Sequence, residues 1–97
     1  MSNILIAEDF EVLADRPWIL VGAKGTLTLE CKEVRRLRSP SPRTAPSFAV
    51  VWRDRGAARA LPQGNYSTDL GARGTAELFV VPIGPDGEGM CYEAIFN

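Results

Sequence analysis

The sequence predicts a mainly β fold: a small antiparallel barrel or a curled sandwich of about six strands, with one short N-terminal helix. Apolar residues alternate with a period of two in several short segments, and clusters of Gly, Pro and Asp separate these segments. No predicted strand is followed by a helix long enough for a parallel crossover, so the strands should pair antiparallel. The chain has 97 residues, of which 45% are hydrophobic. We therefore expect one domain, residues 1–97, around one modest core.

The first predicted element is a helix over residues 6–14. Ile6, Phe10 and Leu13 recur at i, i+4 and i+7, which places them on one helical face. Two acidic residues occupy the first turn, where the helix dipole favours negative charge. Pro17 prevents the helix from continuing.

The strands follow the helix. Leu27, Leu29 and Cys31 share one face of the second strand, and Val34 breaks this alternation, which predicts a bulge or the start of a bend near Glu33. The third strand is apolar on both faces, so both should be at least partly covered. The predicted strands are 18–21, 26–32, 47–53, 65–70, 75–82 and 90–96.

Turn residues separate the strands. Residues 38–46 contain three prolines and are predicted to be a loop. Residues 61–64, Leu-Pro-Gln-Gly, are predicted to be a turn that sets strand geometry, and a left-handed Gly64 would make a Gly64→Val substitution destabilising. Residues 71–74 and 84–89 are predicted hairpin turns. The second of these contains two acids, but the residue spacing of a calcium loop is absent.

The sequence contains no recognisable catalytic arrangement. It has no histidine, which removes the commonest general base and metal ligand, and no glycine-rich phosphate loop or nucleophile elbow. We therefore expect no enzymatic activity and no cofactor or metal. Cys31 and Cys91 are predicted to be reduced and inert, although a bond between them or a reactive thiol is left open.

The formal net charge of −1 conceals an uneven distribution. Residues 1–34 carry a net charge of −3, residues 35–59 carry +6 and residues 60–97 carry −4. A basic block of this kind is typical of a solvated edge or a protein interface, whereas nucleic-acid binding would favour exposed aromatic residues and a basic total charge. The candidate interface residues are Arg35, Arg36, Arg38, Arg43, Arg53 and Arg55. If copies assembled head to tail through this block, added salt would weaken the assembly; pairing of unpaired strand edges is the alternative route.

Two segments of the C-terminal half resemble a known family. They are Leu61-Pro-Gln-Gly-Asn-Tyr66 and the run from Leu78-Phe-Val-Val-Pro-Ile-Gly84 to Tyr92-Glu-Ala-Ile-Phe-Asn97, and Glu8-Asp9-Phe10 resembles the family's start. The sequence is similar to short bacterial proteins of unassigned function that are often encoded beside proteins with phage-tail-collar domains. This resemblance implies a role in a fibre-like or tail-like assembly and defines no catalytic residues. The arginine block is not part of the shared motif.

We expect a non-enzymatic structural or interaction module, whose partners are copies of itself or a tail-collar-type protein. The alternative is a small-ligand-binding or enzymatic barrel with a pocket lined by Trp52, Tyr66 and Tyr92. Nucleic acid is not an expected partner. No apolar run approaches the roughly 20 residues that a membrane span needs. The N-terminal residues do not match a secretory signal, so we expect synthesis in the cytoplasm, with extracellular assembly by another route remaining open.

Overall fold

A computed structural model describes residues 5–37 and 46–97. Within these residues all six strands pair antiparallel and close into a barrel in the order β1-β2-β3-β6-β5-β4. This confirms the predicted mainly β, antiparallel fold, and the barrel is the form it takes. The elements are α1 (Ala7–Glu11), β1 (Trp18–Gly22), β2 (Gly25–Arg36), β3 (Phe48–Arg55), β4 (Gly64–Asp69), a 3-10 turn (Gly71–Arg73), β5 (Thr75–Pro85) and β6 (Gly89–Phe96). Of the predicted loop 38–46, residues 38–45 lie outside the described residues.

The long strand β2 joins the two halves of the barrel. It pairs with β1 through residues 25–29 and with β3 through residues 30–36. The register shifts between Cys31 and Glu33, so Lys32 is an extra residue in the ladder. This confirms the predicted irregularity, and it explains the wrong parity of Val34, which lies opposite the buried Val50. Such a bulge bends a strand and increases its twist, which barrel closure requires.

Strand β3 is the most buried strand of the described residues. Phe48, Val50 and Trp52 are at most 1% exposed and belong to the barrel core. Ala49 and Val51, on the opposite face of the strand, are also buried. The prediction that both faces of this strand are covered is therefore confirmed.

Helix α1 closes one end of the barrel through Phe10. The Phe10 side chain is fully buried, and its ring contacts those of Trp18, Phe48, Trp52 and Phe96. The helix is shorter than the predicted 6–14. After Val12 the backbone changes from α-helical bonds to turns, in which the N–H groups of Leu13, Ala14 and Arg16 donate to the carbonyl three residues earlier. Of the predicted helix 6–14, only residues 7–11 are therefore α-helical.

Candidate functional site

Four described arginines of the basic block, Arg35, Arg36, Arg53 and Arg55, have acidic partners in the same chain. Arg35 contacts Glu93 at 2.9 Å, and Arg36 contacts Glu11 at 2.6 Å, which links β2 to α1. Arg53 and Arg55 lie on β3 and form the larger group described next. Arg38 and Arg43, the other two candidate interface residues, lie outside the described residues.

Arg53 is the centre of an ion-pair network that we call the Arg53 cluster. Its Nε atom lies 2.6 Å from a Glu30 carboxylate oxygen, and its Nη1 atom lies 2.6 Å from Asp86. The side chain is only 13% exposed, so these contacts are partly shielded from solvent. The Arg53 cluster consists of Glu30, Lys32, Arg53, Arg55, Asp86 and Glu88.

Asp86 organises the hairpin that carries the acidic half of this cluster. Its Oδ1 atom accepts hydrogen bonds from the backbone N–H groups of Glu88 and Gly89, at 2.9 and 3.2 Å. These backbone donors, together with Arg53 and Lys32, hold the pKa of the Asp86 carboxyl well below its usual range. Left-handed glycines at positions 84 and 87 confirm the predicted hairpin. Asp86 therefore has a complete set of partners within the protein.

Both cysteines are free thiols, as predicted. Cys31 is partly buried, and burial raises the pKa of its thiol to about 11. Cys91 is buried, and burial together with a hydrogen bond to the Asp86 carboxylate raises the pKa of its thiol. A raised thiol pKa lowers the thiolate fraction at neutral pH, which disfavours nucleophilic chemistry.

The three aromatic residues expected to line a pocket belong to the packed core. Trp52, Tyr66 and Tyr92 are at most 3% exposed. The Tyr66 hydroxyl donates to the Pro62 carbonyl at 2.8 Å, and the Tyr92 hydroxyl accepts from the Leu61 N–H at 2.9 Å. The two tyrosines thus anchor the Leu-Pro-Gln-Gly turn, which gives a structural reason for the turn and the C-terminal run to occur together.

The outside of β5 and β6 carries exposed apolar side chains that the strand predictions did not single out. Phe79, Ile83 and Ile95 are each 50–55% exposed, and Val81 is partly exposed between them. We call these four residues the β5–β6 apolar face. An unbroken apolar run over residues 78–83 was the available signal, because it makes both faces of the strand apolar.

A cleft of about 450 Å³ lies beside the start of β1. One wall is the segment 14–17, and the other is formed by residues 28–31 of β2 and 53–55 of β3. It forms where β1 begins at Trp18, because β2 from Glu30 onward pairs only with β3. Sequence reasoning missed this cleft, since its walls come from segments far apart in the chain.

Within residues 5–37 and 46–97, no group of side chains is arranged to hold a metal ion. Among the same residues, no helix is both long and apolar enough to cross a membrane.

Comparison with known families identifies the family to which the chain belongs. The family model of the domain of unknown function DUF6916 matches residues 5–96, which is nearly the whole sequence. The comparison with curated proteins found no match, and neither did the comparison with solved structures. This agrees with the resemblance to a family of unassigned function. The chain belongs to the DUF6916 family, a domain whose function is unknown.

Proposed function

We propose that this protein is a non-enzymatic interaction module that serves as a subunit or accessory of a fibre-like or phage-tail-like assembly. The observation that carries the proposal is the β5–β6 apolar face. Its three most exposed members each leave about half of a large apolar side chain in water. Groups of exposed apolar side chains on a small domain are typical of protein–protein contacts.

The apolar face is a better candidate contact than the basic block. Arg35, Arg36, Arg53 and Arg55 are already compensated by acids of the same chain, so each would have to leave a carboxylate to bind a partner. Exposed ion pairs also contribute little free energy. Pairing of strand edges is disfavoured as well, because barrel closure leaves only parts of strands, such as residues 30–36 of β2, without a second neighbouring strand.

The alternative, a ligand-binding or enzymatic barrel with an aromatic pocket, has less support. Trp52, Tyr66 and Tyr92 pack together with other core residues, and the two tyrosine hydroxyls are occupied by the backbone of the 61–62 turn. The raised thiol pKa values argue in the same direction. These observations favour binding by the outer surface of the barrel.

The decisive experiment compares the association of two double variants by analytical ultracentrifugation over a concentration series. We expect the wild-type protein to associate as its concentration rises and the Phe79→Ser, Ile95→Ser variant to remain monomeric. The matched control is Ile19→Ser, Val21→Ser, which removes two similarly exposed apolar side chains from β1 and should associate like the wild type. Equal association of all three proteins would overturn the role of the β5–β6 apolar face.

A second arm separates self-association from binding to another protein. If the wild type is monomeric at every concentration, the hypothesis of self-association is excluded. Binding to a tail-collar-type partner is then the remaining hypothesis. Co-expression with such a protein should then yield a complex that the Phe79→Ser, Ile95→Ser variant does not form. Absence of both self-association and complex formation would refute the assembly proposal.

A further inference from the structure

One arginine of the basic segment 35–59 differs from its described neighbours. Four of them have a carboxylate partner in the same chain, namely Arg35, Arg36, Arg53 and Arg55. Arg59 is exposed and has no carboxylate partner among the described residues. Within the described part of this segment, Arg59 is therefore the arginine whose charge is available to another molecule.

The loop that carries this arginine is anchored at both ends. At one end the Gly56 N–H donates to the Glu88 carbonyl at 2.9 Å, which holds the loop beside the β5–β6 hairpin. At the other end the Leu61 N–H donates to the Tyr92 hydroxyl at 2.9 Å. Residues 58–60, Ala-Arg-Ala, are exposed between these anchors, and we call them the loop tip. The tip presents one positive charge between two small apolar side chains.

An acid at the edge of the β5–β6 apolar face is likewise without a partner. Glu77 is exposed, and within the described residues it forms neither an ion pair nor a side-chain hydrogen bond. It precedes Phe79 by two positions on β5, so both side chains lie on the same face of the sheet. The other acids of residues 60–97 are engaged, since Asp86, Glu88 and Glu93 form ion pairs and Asp69 accepts from a backbone N–H.

We infer that the loop tip of one copy docks on the β5–β6 apolar face of the next copy, with Arg59 beside Glu77. The inference rests on the proposed function and names a second copy of this chain as the partner of the apolar face. The two charges are opposite in sign, and neither has to leave a partner in its own chain to form the contact. Because an exposed ion pair contributes little free energy, apolar burial supplies the affinity and the pair sets the orientation.

The contact joins two different parts of the barrel. The loop tip is held beside the hairpin that follows Pro85 at the end of β5, whereas Glu77 lies near the start of that strand at Thr75. The surfaces that meet are therefore not the same patch on both copies, and the contact is heterologous. Heterologous contacts generate rings or open filaments. A subunit of a fibre-like assembly requires a contact of this kind.

Reversing each charge tests the pair. Arg59→Glu and Glu77→Arg each place like charges opposite one another, so association measured by analytical ultracentrifugation should weaken about tenfold or more. An equimolar mixture of the two variants should associate like the wild type, because the changed tip of the first fits the changed face of the second and their unchanged parts fit each other. A contact between two apolar faces without the loop tip predicts no effect of Arg59→Glu.

Lys24→Glu is the matched control for the change in net charge. Lys24 is exposed in the turn between β1 and β2 and has no ion pair among the described residues. This variant should associate like the wild type. An effect equal to that of Arg59→Glu would show that total charge governs association, and it would overturn the inference.

A second mixture gives a result that does not depend on Glu77→Arg being folded. Arg59→Glu retains an intact apolar face, and Phe79→Ser, Ile95→Ser retains an intact loop tip. Together they should form a one-to-one complex and nothing larger, because the remaining tip and the remaining face are both used. Absence of this complex would contradict the docking of the loop tip.

The outcomes separate this inference from the proposed function. Association that is lost in Phe79→Ser, Ile95→Ser but unchanged in Arg59→Glu and Glu77→Arg would retain the apolar face as the contact and overturn the docking of the loop tip. A wild type that remains monomeric at every concentration would overturn both self-association and this inference, and only binding to another protein would remain of the proposed function.

Discussion

Individual residues of this protein connect elements that are distant in the sequence. Arg53 on β3 binds Glu30 on β2 and Asp86 in the β5–β6 hairpin, so one guanidinium joins three parts of the barrel. Asp86 in turn fixes its hairpin through two backbone N–H groups and accepts from Cys91. At this scale, the acidic and basic residues of the middle and C-terminal segments act as structural partners.

The Asp86 carboxylate should make stability dependent on pH in the acid range. Its pKa is held well below the usual value near 3.8 in the folded protein, so its ionised form stabilises the fold. This stabilisation is fully present above the unfolded-state pKa and is lost as the pH falls towards the folded-state pKa. Asp86→Asn should therefore lower the Tm clearly at pH 7 and less at pH 3. Glu77→Gln, at an exposed position on β5, is the control; a Tm difference for Asp86→Asn that is constant with pH would contradict the assignment.

Gly89 should not tolerate a side chain. A Cβ atom at this position would overlap the backbone carbonyl oxygen of Asp54 on the neighbouring strand, and backbone cannot move aside cheaply. Gly89→Ala should therefore lower the free energy of unfolding by about 1–3 kcal/mol, measured by urea denaturation. Gly64→Ala is the control, because Gly64 is not left-handed and has open space beside it. The condition under which a Gly64 substitution was expected to destabilise the turn is thus not met.

The thiols should react slowly in the folded state. Burial raises the pKa of both, to about 11 for Cys31. We expect Cys31, which is less buried, to be modified by a thiol reagent before Cys91, and both to react much faster in urea. Rates measured at neutral pH on Cys31→Ser and Cys91→Ser give each thiol separately. Fast labelling of native Cys91 would show that the thiol is accessible and would contradict its burial.

At the scale of elements, helix α1 closes one end of the barrel, and the bulged strand β2 joins the two halves of its wall. Helix α1 has only five residues, too few to be stable alone, so it depends on the contacts of Phe10 with the core. The pair of Arg36 and Glu11 adds a link from the helix to β2. The helix is therefore a consequence of barrel packing more than of its own helical tendency.

Phe10→Ala tests this dependence. The side chain is fully buried among aromatic rings, so the substitution should lower the free energy of unfolding by about 3–5 kcal/mol. Because the Phe10 ring is stacked on that of Trp18, the tryptophan fluorescence should also change. Val12→Ala, at a residue that is 79% exposed, should leave stability unchanged. A small effect of Phe10→Ala would mean that the helix does not close the barrel core.

At the scale of the whole molecule, arginines of the basic middle segment form ion pairs with acids of the acidic N- and C-terminal segments. The described arginines of residues 35–59 that form ion pairs meet acids from the N-terminal helix, β2 and the C-terminal hairpin and strand. The apolar residues outside the core are concentrated instead on strand surfaces such as the β5–β6 apolar face.

Association through the apolar face should resist salt. Screening weakens contacts between exposed charges, whereas apolar burial does not depend on it, so light scattering at low and high salt should give the same assembly size. The Arg35→Ser, Arg36→Ser, Arg38→Ser triple variant should also assemble. Loss of assembly both in high salt and in this variant would instead support a head-to-tail contact through the basic block.

The sequence by itself determined the local structure. Alternation, proline and glycine positions and the broken parity at Val34 are local signals, and they correctly predicted the strands, their antiparallel pairing, the β2 irregularity and the 84–89 hairpin. These features depend on backbone geometry and side-chain period, which neighbouring residues specify.

Only the tertiary structure decided features that depend on distant residues. Closure of the barrel rests on the pairs Val21–Ser67 and Gly22–Tyr66, which no local pattern encodes. The partners of Arg53 come from residues more than 20 positions away on either side, so the charge pattern alone could not tell an internal network from an interface. The cleft beside Arg16 likewise exists only where separate segments meet. Contacts of this kind are set by the way the sheet curls and closes, which is a property of the whole chain.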